Sequence, residues 1–539
     1  MERSTTELER FWRLQGGECM IITQSLITQA KNRPNKIAII DGEKRFTYKQ
    51  FAQRVALLAG ALEEAGVKKG DRVALLLLNE SRYLELLYGI TLLGAIAVPL
   101  NVRLSPVELD FILKDSGAKL LFMHKEFLPI VPKLRQEIAS IERFVLCEDE
   151  CAGDGMSGYE DMLSSAQPVE LVGRVTEEEI AGIFYTGGTT GMPKGVMLTH
   201  RNLLSNAYNV GLALNYTADD IYLHAAPMFH LADGASTFAI TVVGGTHAHV
   251  RMFEPNQVLQ TIQDARVTSC LLVPTMINIL INLPGLKDYD ITSWRKVLYG
   301  ASPCPPEVLK KAKELLPIQF YQGYGQSEAA PVLTFMMPKD HVTEGEPNLV
   351  ARLASCGQPL AGVEVRCFDA EDRDVKPGEV GEIVARGPNV MKGYWNRPEE
   401  SEAALRGGWL RTGDMATVDE ENFFFIVDRK KDMIVTGGEN VYSVEVENVV
   451  YTHPGVLEAA IVGVPDERWG EAVKAVVVVR NGTSLTEEEL IQHCRSYLAN
   501  YKVPKSVDFV SELPKSGAGK ILKRNLRDNY WLGQSRKVN

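Results

Sequence analysis

Cysteine is scarce: eight in 539 residues, with no regular spacing, which excludes a disulfide framework. Cys147 and Cys151 form the only close pair, and they lack the second Cys/His pair that a metal site needs. Long hydrophobic runs are missing as well. The longest, Leu86 to Leu100, has 15 residues and contains Pro99, short of the roughly 20 that span a bilayer. Positive charge is in deficit, with a net charge of −11. A chain without a broad cationic surface cannot neutralise phosphates along a duplex, so no nucleic-acid partner is expected. The opening Met1-Glu2-Arg3-Ser4 is charged and no apolar stretch follows it, so no signal peptide is expected, and Met1 to Met20 match no motif. These absences predict a soluble chain of a reducing compartment, the cytoplasm.

What is present is ordinary globular material. Apolar residues at 45% and charged residues at 24% set aside disordered and collagen-like classes. At about 150 residues per domain, three to four domain-sized units are expected. From about 38 to 125 short apolar strands alternate with amphipathic helices. Thr47-Tyr48-Lys49-Gln50 is a capping box followed by Phe51, Val55, Leu58 and Leu62 at helical spacing. Arg72 to Leu78 reads as a buried strand, and Ser105-Pro106-Val107-Glu108 as a second capping box with proline at the first helical position. Residues 139–180 are polar and predict an irregular loop region.

Alternation resumes between 181 and 330, with strands expected at 181–185, 195–199, 221–225, 267–273, 294–299 and 317–321. This pattern predicts an α/β fold with parallel-rich sheets covered by helices. Residues 357–428 are punctuated by Gly362, Pro377-Gly378, Gly387-Pro388 and Gly407-Gly408, which predicts a small antiparallel β unit. From about 432 a compact α+β segment follows. One of its helices starts at the capping box Thr486-Glu487-Glu488-Glu489 and runs through Leu490, Ile491, Cys494 and Leu498.

The strongest chemical signal is Tyr185-Thr186-Gly187-Gly188-Thr189-Thr190-Gly191-Met192-Pro193-Lys194-Gly195. The glycines let backbone N–H groups approach a ligand, the threonines add hydroxyl donors, and Lys194 adds a full charge. Together they form an anion cradle. It is not a Walker A loop, because Pro193 precedes the lysine and a strand rather than a helix follows. Gly519-Lys520 fails the same test, since Ile521 replaces the required Ser/Thr. Three other segments follow expected strands: Pro227-Met228-Phe229-His230, Gly300-Ala301-Ser302-Pro303 and Gly323-Tyr324-Gly325-Gln326-Ser327-Glu328. Ligands of open α/β sheets bind beyond the carboxyl ends of strands, so the four pieces are expected to share one crevice.

These motifs resemble, in order, those of the adenylate-forming superfamily of acyl-CoA synthetases, peptide-synthetase adenylation domains and firefly-type luciferases. The resemblance includes Trp409-Leu410-Arg411-Thr412-Gly413-Asp414, Asp428-Arg429-Lys430-Lys431-Asp432 and Pro514-Lys515-Ser516-Gly517-Ala518-Gly519-Lys520, and it covers about 185 to 524. Gly187 stands where serine is common and Ser327 where threonine is usual. The resemblance implies a large N-terminal domain over 1–430 that includes the β-rich 357–428, a hinge at Lys431, and a small mobile domain over 432–539.

The resemblance also implies roles. ATP would lie against Thr186, Gly187, Gly188, Thr189, Thr190, Gly191 and Lys194, with Gln322, Gly323, Gly325 and Ser327 beside it. Adenine would sit between Tyr324 and Gly300-Ala301-Ser302, and Asp414, supported by Arg429, would hold the ribose hydroxyls. Glu328 and Thr186 would bind Mg²⁺, which takes few carboxylates alongside phosphates. Lys520 would be the main residue of the first step, where charge develops on the phosphorus oxygens. Phe229, His230, Ala235, Ala301, Gly323 and Ala329 would line the acid pocket, with His230 also gating CoA. Gly437, Gly438, Glu439 and Trp469 would face CoA after the small domain turns about Lys431. His247 and His249, two apart on one strand, lack an evident third ligand and read as structural.

The implied activity is ATP-dependent acid–CoA ligation. AMP transfer neutralises the carboxylate and creates a leaving group that the CoA thiol then displaces. The implied participants are ATP, Mg²⁺, CoA and a small carboxylic acid, with a homodimer as a possible assembly. His230 stands where amino-acid activators carry aspartate, and Pro227 to Thr241 holds no Lys or Arg to pair a second carboxylate. Small apolar walls favour a medium- or long-chain fatty acid, with an aryl or 4-coumarate-type acid as the alternative. Luciferase-type oxygenation and loading of a carrier protein share the nucleotide motifs, and a non-enzymatic ATP-binding role fits them least.

Overall fold

The computed structural model describes residues 20–532 apart from 150–152, 154, 171–174, 187–191, 303, 430–431, 438, 467 and 517–520. Among the described residues the strands form sheets of eight, nine, four and five strands. In the eight-stranded sheet Arg72–Leu76, Ile96–Pro99, Leu120–Met123, Arg143–Leu146 and Ile180–Thr186 run parallel. Lys194–Thr199 then returns antiparallel beside Ile180–Thr186. In the nine-stranded sheet Ile37–Asp41, Thr246–His249, Ile221–His224, Ser269–Leu272, Lys296–Gly300 and Gln319–Gly325 are parallel neighbours, with antiparallel strands at both margins. Their near-continuous burial is that of strands covered on both faces.

Helix positions follow local chemistry. At Thr47, Ser105 and Thr486 the hydroxyl accepts from the backbone N–H three residues on, and that residue's side chain accepts from the cap N–H in return. Each box satisfies two donors that a helix start leaves open. Helix Ser81–Leu92 is buried at every residue, as a helix enclosed on all sides must be. One apolar cluster joins it to strands of both large sheets through Leu75, Tyr88, Phe122, Tyr222 and Leu298. The apolar run from Leu86 is divided between this helix and strand Ile96–Pro99. Among the described residues no helix is long and apolar enough to cross a membrane.

Two expectations need correction. The stretch 139–180 is not simply irregular: Arg143–Leu146 and Ser157–Gly158 extend the eight-stranded sheet, and Tyr159–Ser165 is a helix with Tyr159 and Leu163 in the core. Its polar flanks mask short apolar runs that only sheet pairing turns into strands. The segment 357–428 does form a four-stranded antiparallel sheet of Glu364–Phe368, Gly381–Arg386, Leu410–Val418 and Phe424–Arg429. However, it also lends Gln358–Pro359 to the nine-stranded sheet and Gly393–Tyr394 to the eight-stranded one. C-terminal to these, Ile434–Thr436, Glu439–Val441, Val456–Asp466, Gly470–Val479 and Ser506–Phe509 form the remaining sheet, packed on helices around Val446, Ile461 and Leu490.

Candidate active site

The glycine-rich loop joins two antiparallel strands, with Thr186 opposite Lys194 in the register. Gly187, Gly188, Thr189, Thr190 and Gly191 lie outside the described residues. Lys194 at the loop's end pairs with Glu400 and stands 5.3 Å over the Tyr394 ring. Tyr394 reaches this point because Gly393–Tyr394 pairs with Val196–Met197 at the margin of the sheet. Its hydroxyl donates to Glu328 Oε1 at 2.9 Å. The turn Ser327–Ala329, which carries Glu328, packs on strand Lys194–Thr199 and is held by the Met391 N–H donating to the Glu328 carbonyl at 2.8 Å. Burial pushes the Glu328 carboxyl up, against the Tyr394 bond and the Arg429 charge, which draw it down. Neither Tyr394 nor Glu400 stands out in the sequence, since each is read there as part of a turn-rich stretch.

A second group forms around Asp414. This carboxylate is 4% exposed and sits directly across from Arg429 in the antiparallel pair. Arg429 Nε lies 3.0 Å from Asp414 Oδ1, and the Tyr324 hydroxyl donates to Oδ2 at 2.8 Å. The neighbouring Asp414 carboxylate raises the Arg429 guanidinium further above its already high range. Asp414 is thus a strand residue, and two sheets supply the group, with Tyr324, Glu328 and Asp414 within one electrostatic neighbourhood.

The Gly300 and Gly323 segments are carried by two adjacent parallel strands. Gly300 is opposite Gly323, and a Cβ on Gly300 would meet the Gly323 carbonyl oxygen at 2.1 Å. Only glycine permits that approach. Ala301 turns the chain away at φ +65°, an uncommon conformation for a residue with a Cβ and one that concentrates at functional turns. Ser302 is half-buried, and Pro303 lies outside the described residues. Gln322 accepts from the Tyr299 hydroxyl at 3.1 Å. A Cβ on Gly323 would face Leu298 and Phe335 in the core rather than an open pocket. Gly325 must be bare, because a Cβ there would lie 1.9 Å from the Pro331 carbonyl.

After strand Ile221–His224, Phe229 and His230 stand with ring centroids 4.8 Å apart. Phe229, Ala235 and Ala329 are buried in the large apolar cluster. His230 Nε2 is buried without a hydrogen-bond partner. Burial, then the nearby Arg103 charge, lowers the imidazole to about 4, so it is neutral at physiological pH. His247 and His249 share a face, and a third histidine, His224, stacks on both at 5.3 and 4.8 Å. His224 Nδ1 meets Asp233 Oδ2 at 2.6 Å, and His247 Nε2 meets the Thr241 hydroxyl at 2.9 Å. These are the partners of core residues in a polar network. Among the described residues no group of three His, Cys, Asp or Glu side chains is placed to hold a metal.

Gly437 and Trp469 lie in turns beside strands Ile434–Thr436 and Gly470–Val479 of the C-terminal sheet. The Gly437 N–H donates to the Trp469 carbonyl at 2.8 Å, and a Cβ on Gly437, at φ +60°, would strike the Trp469 ring at 2.7 Å. Trp469 is 43% exposed and Glu439 is exposed beside them. Lys431, Gly438 and Lys520 lie outside the described residues.

A fold of two parallel-rich sheets with a β unit and an α+β C-terminal part, joined to a site of this composition, defines an adenylate-forming enzyme. Residues 26–395 match the family model described as AMP-binding enzyme, and residues 445–520 match the AMP-binding enzyme C-terminal domain. The chain belongs to this family. It is 41% identical over 505 residues to a feruloyl-CoA synthase of an Amycolatopsis species, covering 94% of this chain and 98% of that one. It is 35% identical over 533 residues to the fatty acid–[acyl-carrier-protein] ligase ScoC of Streptomyces coeruleorubidus, covering 98% and 100%. The crystal structure of the anthranilate CoA ligase AuaEII with anthranoyl-AMP aligns with a TM-score of 0.87 at 28% identity, over 95% and 97% of the two chains. The chain is an AMP-forming acid–thiol ligase, with ATP, CoA and a small carboxylic acid as substrates.

Proposed function

We propose that the acid is aromatic, an aryl or arylpropenoic acid, and that it is converted through its adenylate to the CoA thioester. The observation that carries this reading is the neutral, unpartnered His230 Nε2 buried beside Phe229. An alkyl chain would leave that nitrogen without a partner, a cost of about 1–3 kcal/mol, whereas a ring hydroxyl or methoxy group can bond it. The 41% identity to a feruloyl-CoA synthase supports the same acid class. A fatty acid is the second reading, favoured by the apolar surroundings of Phe229, Ala235 and Ala329 and by the resemblance to ScoC.

In this reading Asp414, oriented by Tyr324 and Arg429, accepts from the ribose hydroxyls. Lys194 and the loop before it hold the phosphates, which compete with Glu400 for the lysine. The donor set suits Mg²⁺: one half-buried carboxylate, Glu328, and the Thr186 hydroxyl beside nucleotide phosphates. When bound, the ion supplies neutralising charge to the phosphates. Lys520 steadies the charge that develops as the acid attacks, and rotation about a hinge at Lys431 then brings the Gly437, Glu439 and Trp469 surface to the adenylate for thiol transfer.

An acid panel in acid-dependent exchange of labelled pyrophosphate into ATP tests the proposal, with CoA-dependent AMP release as the second readout. Ferulate, 4-coumarate and benzoate are expected to exceed octanoate to palmitate by at least about tenfold in kcat/KM. Preference for the alkyl acids would overturn the aromatic reading. AMP release that requires an added carrier protein would overturn CoA as the acceptor.

A further inference from the structure

The polar network around Asp414 continues beyond Arg429. Asp428 precedes it on the same strand, is 2% exposed, and points to the start of helix Ser443–Tyr451. Its Oδ2 accepts from the Ser443 N–H at 2.6 Å and its Oδ1 from the Ser443 hydroxyl at 3.0 Å. Ser443 Oγ in turn accepts from Lys523 Nζ at 2.6 Å. Lys523 also pairs with Glu447, one turn along the same helix, at 2.7 Å. Glu447 is fixed as well, since its Oε1 accepts from the Ile461 N–H at 2.8 Å. Lys523 is the first residue of the helix Lys523–Tyr530, whose Arg527 binds Asp432 at 3.0 Å.

A buried cluster of this kind is a poor way to gain stability, because an apolar plug of equal volume usually does as well or better. Its placement suggests a different use. Lys523 stands three residues after Lys520, at one stem of the segment that carries it. The base of that segment is closed by the Leu522 N–H donating to the Pro514 carbonyl at 2.8 Å and by the bridge between Lys515 and Ile521. On its other side the Ser516 carbonyl accepts from Arg103 Nη1 at 3.5 Å, and Arg103 lies close enough to His230 for its charge to be felt there. One stem is therefore tied toward the acid pocket. The other is tied, through Ser443 and Asp428, to the strand that ends in Arg429.

We propose that Lys523 is a positioning residue for the acid-activating half-reaction: it sets the stem of the Lys520 segment against the strand that presents Arg429 and Asp414. The inference rests on the two-step reading above. A cation that stabilises developing phosphoryl charge must be held to within about 1 Å, and misplacement by that much costs about a hundredfold in rate. Thiol transfer, in which Lys520 has no task, does not need the tie.

Full-length wild type, Lys523→Met, Lys523→Arg and Ser443→Ala are compared in two assays: acid-dependent pyrophosphate exchange, and thioester formation from supplied acyl-adenylate and CoA. Lys523→Met is expected to lower kcat for exchange about a hundredfold with KM for ATP nearly unchanged, and thioester formation to stay within about threefold. Lys523→Arg should recover most of the loss. Ser443→Ala, which removes the bridging hydroxyl and no charge, is expected to lose about tenfold in exchange alone, and it carries the test should Lys523→Met not fold. Equal loss in both half-reactions, or no loss in exchange, overturns the inference. Absence of acid-dependent exchange in the wild type overturns the acid-activation reading itself.

Discussion

Tyr394 touches two ionisable side chains at once, with its ring under Lys194 and its hydroxyl on Glu328. Burial raises the Glu328 carboxyl and the Tyr394 bond lowers it, so Tyr394→Phe removes a stabiliser of the ionised form and moves the carboxyl higher still. A Glu328 that must be ionised to hold a cation then fails at a higher pH. The acid limb of kcat/KM for pyrophosphate exchange is expected to shift upward in pH, with the alkaline limb in place. An unmoved acid limb would show that Tyr394 does not govern this ionisation. Tyr394 could not be found from the sequence, because it lies 66 residues from Glu328 and nothing local marks the contact. Asp414, by contrast, stands in a motif visible in the sequence, and Arg429 was expected beside it, although the strand ladder that sets them opposite each other was not.

At the scale of elements, the pair Gly300 and Gly323 separates close approach from mere absence of a side chain. A Cβ on Gly300 collides with backbone at 2.1 Å, while a Cβ on Gly323 makes ordinary contact at 3.4 Å with Leu298 and Phe335. Gly300→Ala must push two paired strands apart and is expected to cost about 1–3 kcal/mol, seen as a lower melting temperature together with a higher KM for ATP. Gly323→Ala is expected to change both little. Equal effects of the two substitutions in thermal denaturation would contradict the register described for these strands. The helix starts at Thr47, Ser105 and Thr486 were readable because each box lies within four residues. The strand Arg143–Leu146 and the helix Tyr159–Ser165 were missed because their burial depends on partners far along the chain.

At the scale of the molecule, two half-reactions at one carbonyl need different groups, and those groups are carried by different parts of the chain. Lys194 sits on the eight-stranded sheet, Glu328 on the turn that follows strand Gln319–Gly325, and Asp414 on the four-stranded sheet, while Gly437 and Trp469 form a separate surface at turns of the C-terminal part. Lys520→Ala is therefore expected to abolish acyl-adenylate formation and to leave thioester formation from supplied adenylate largely intact. Stopped-flow measurement of each half-reaction checks this, and equal loss of both would remove the division of labour.

The sequence by itself determined the family and the local elements: an ordered set of motifs, capped helices and strands alternating with them. Those features are short-range, because backbone donors, turns and caps are satisfied by near neighbours. Only the tertiary structure decided that Lys194, Tyr324, Glu328 and Asp414 are drawn together from several sheets. It also placed Tyr394 and Glu400 against Glu328 and Lys194 and left His230 Nε2 without a partner. Burial and pairing across large chain separations set those properties, and no local pattern encodes them.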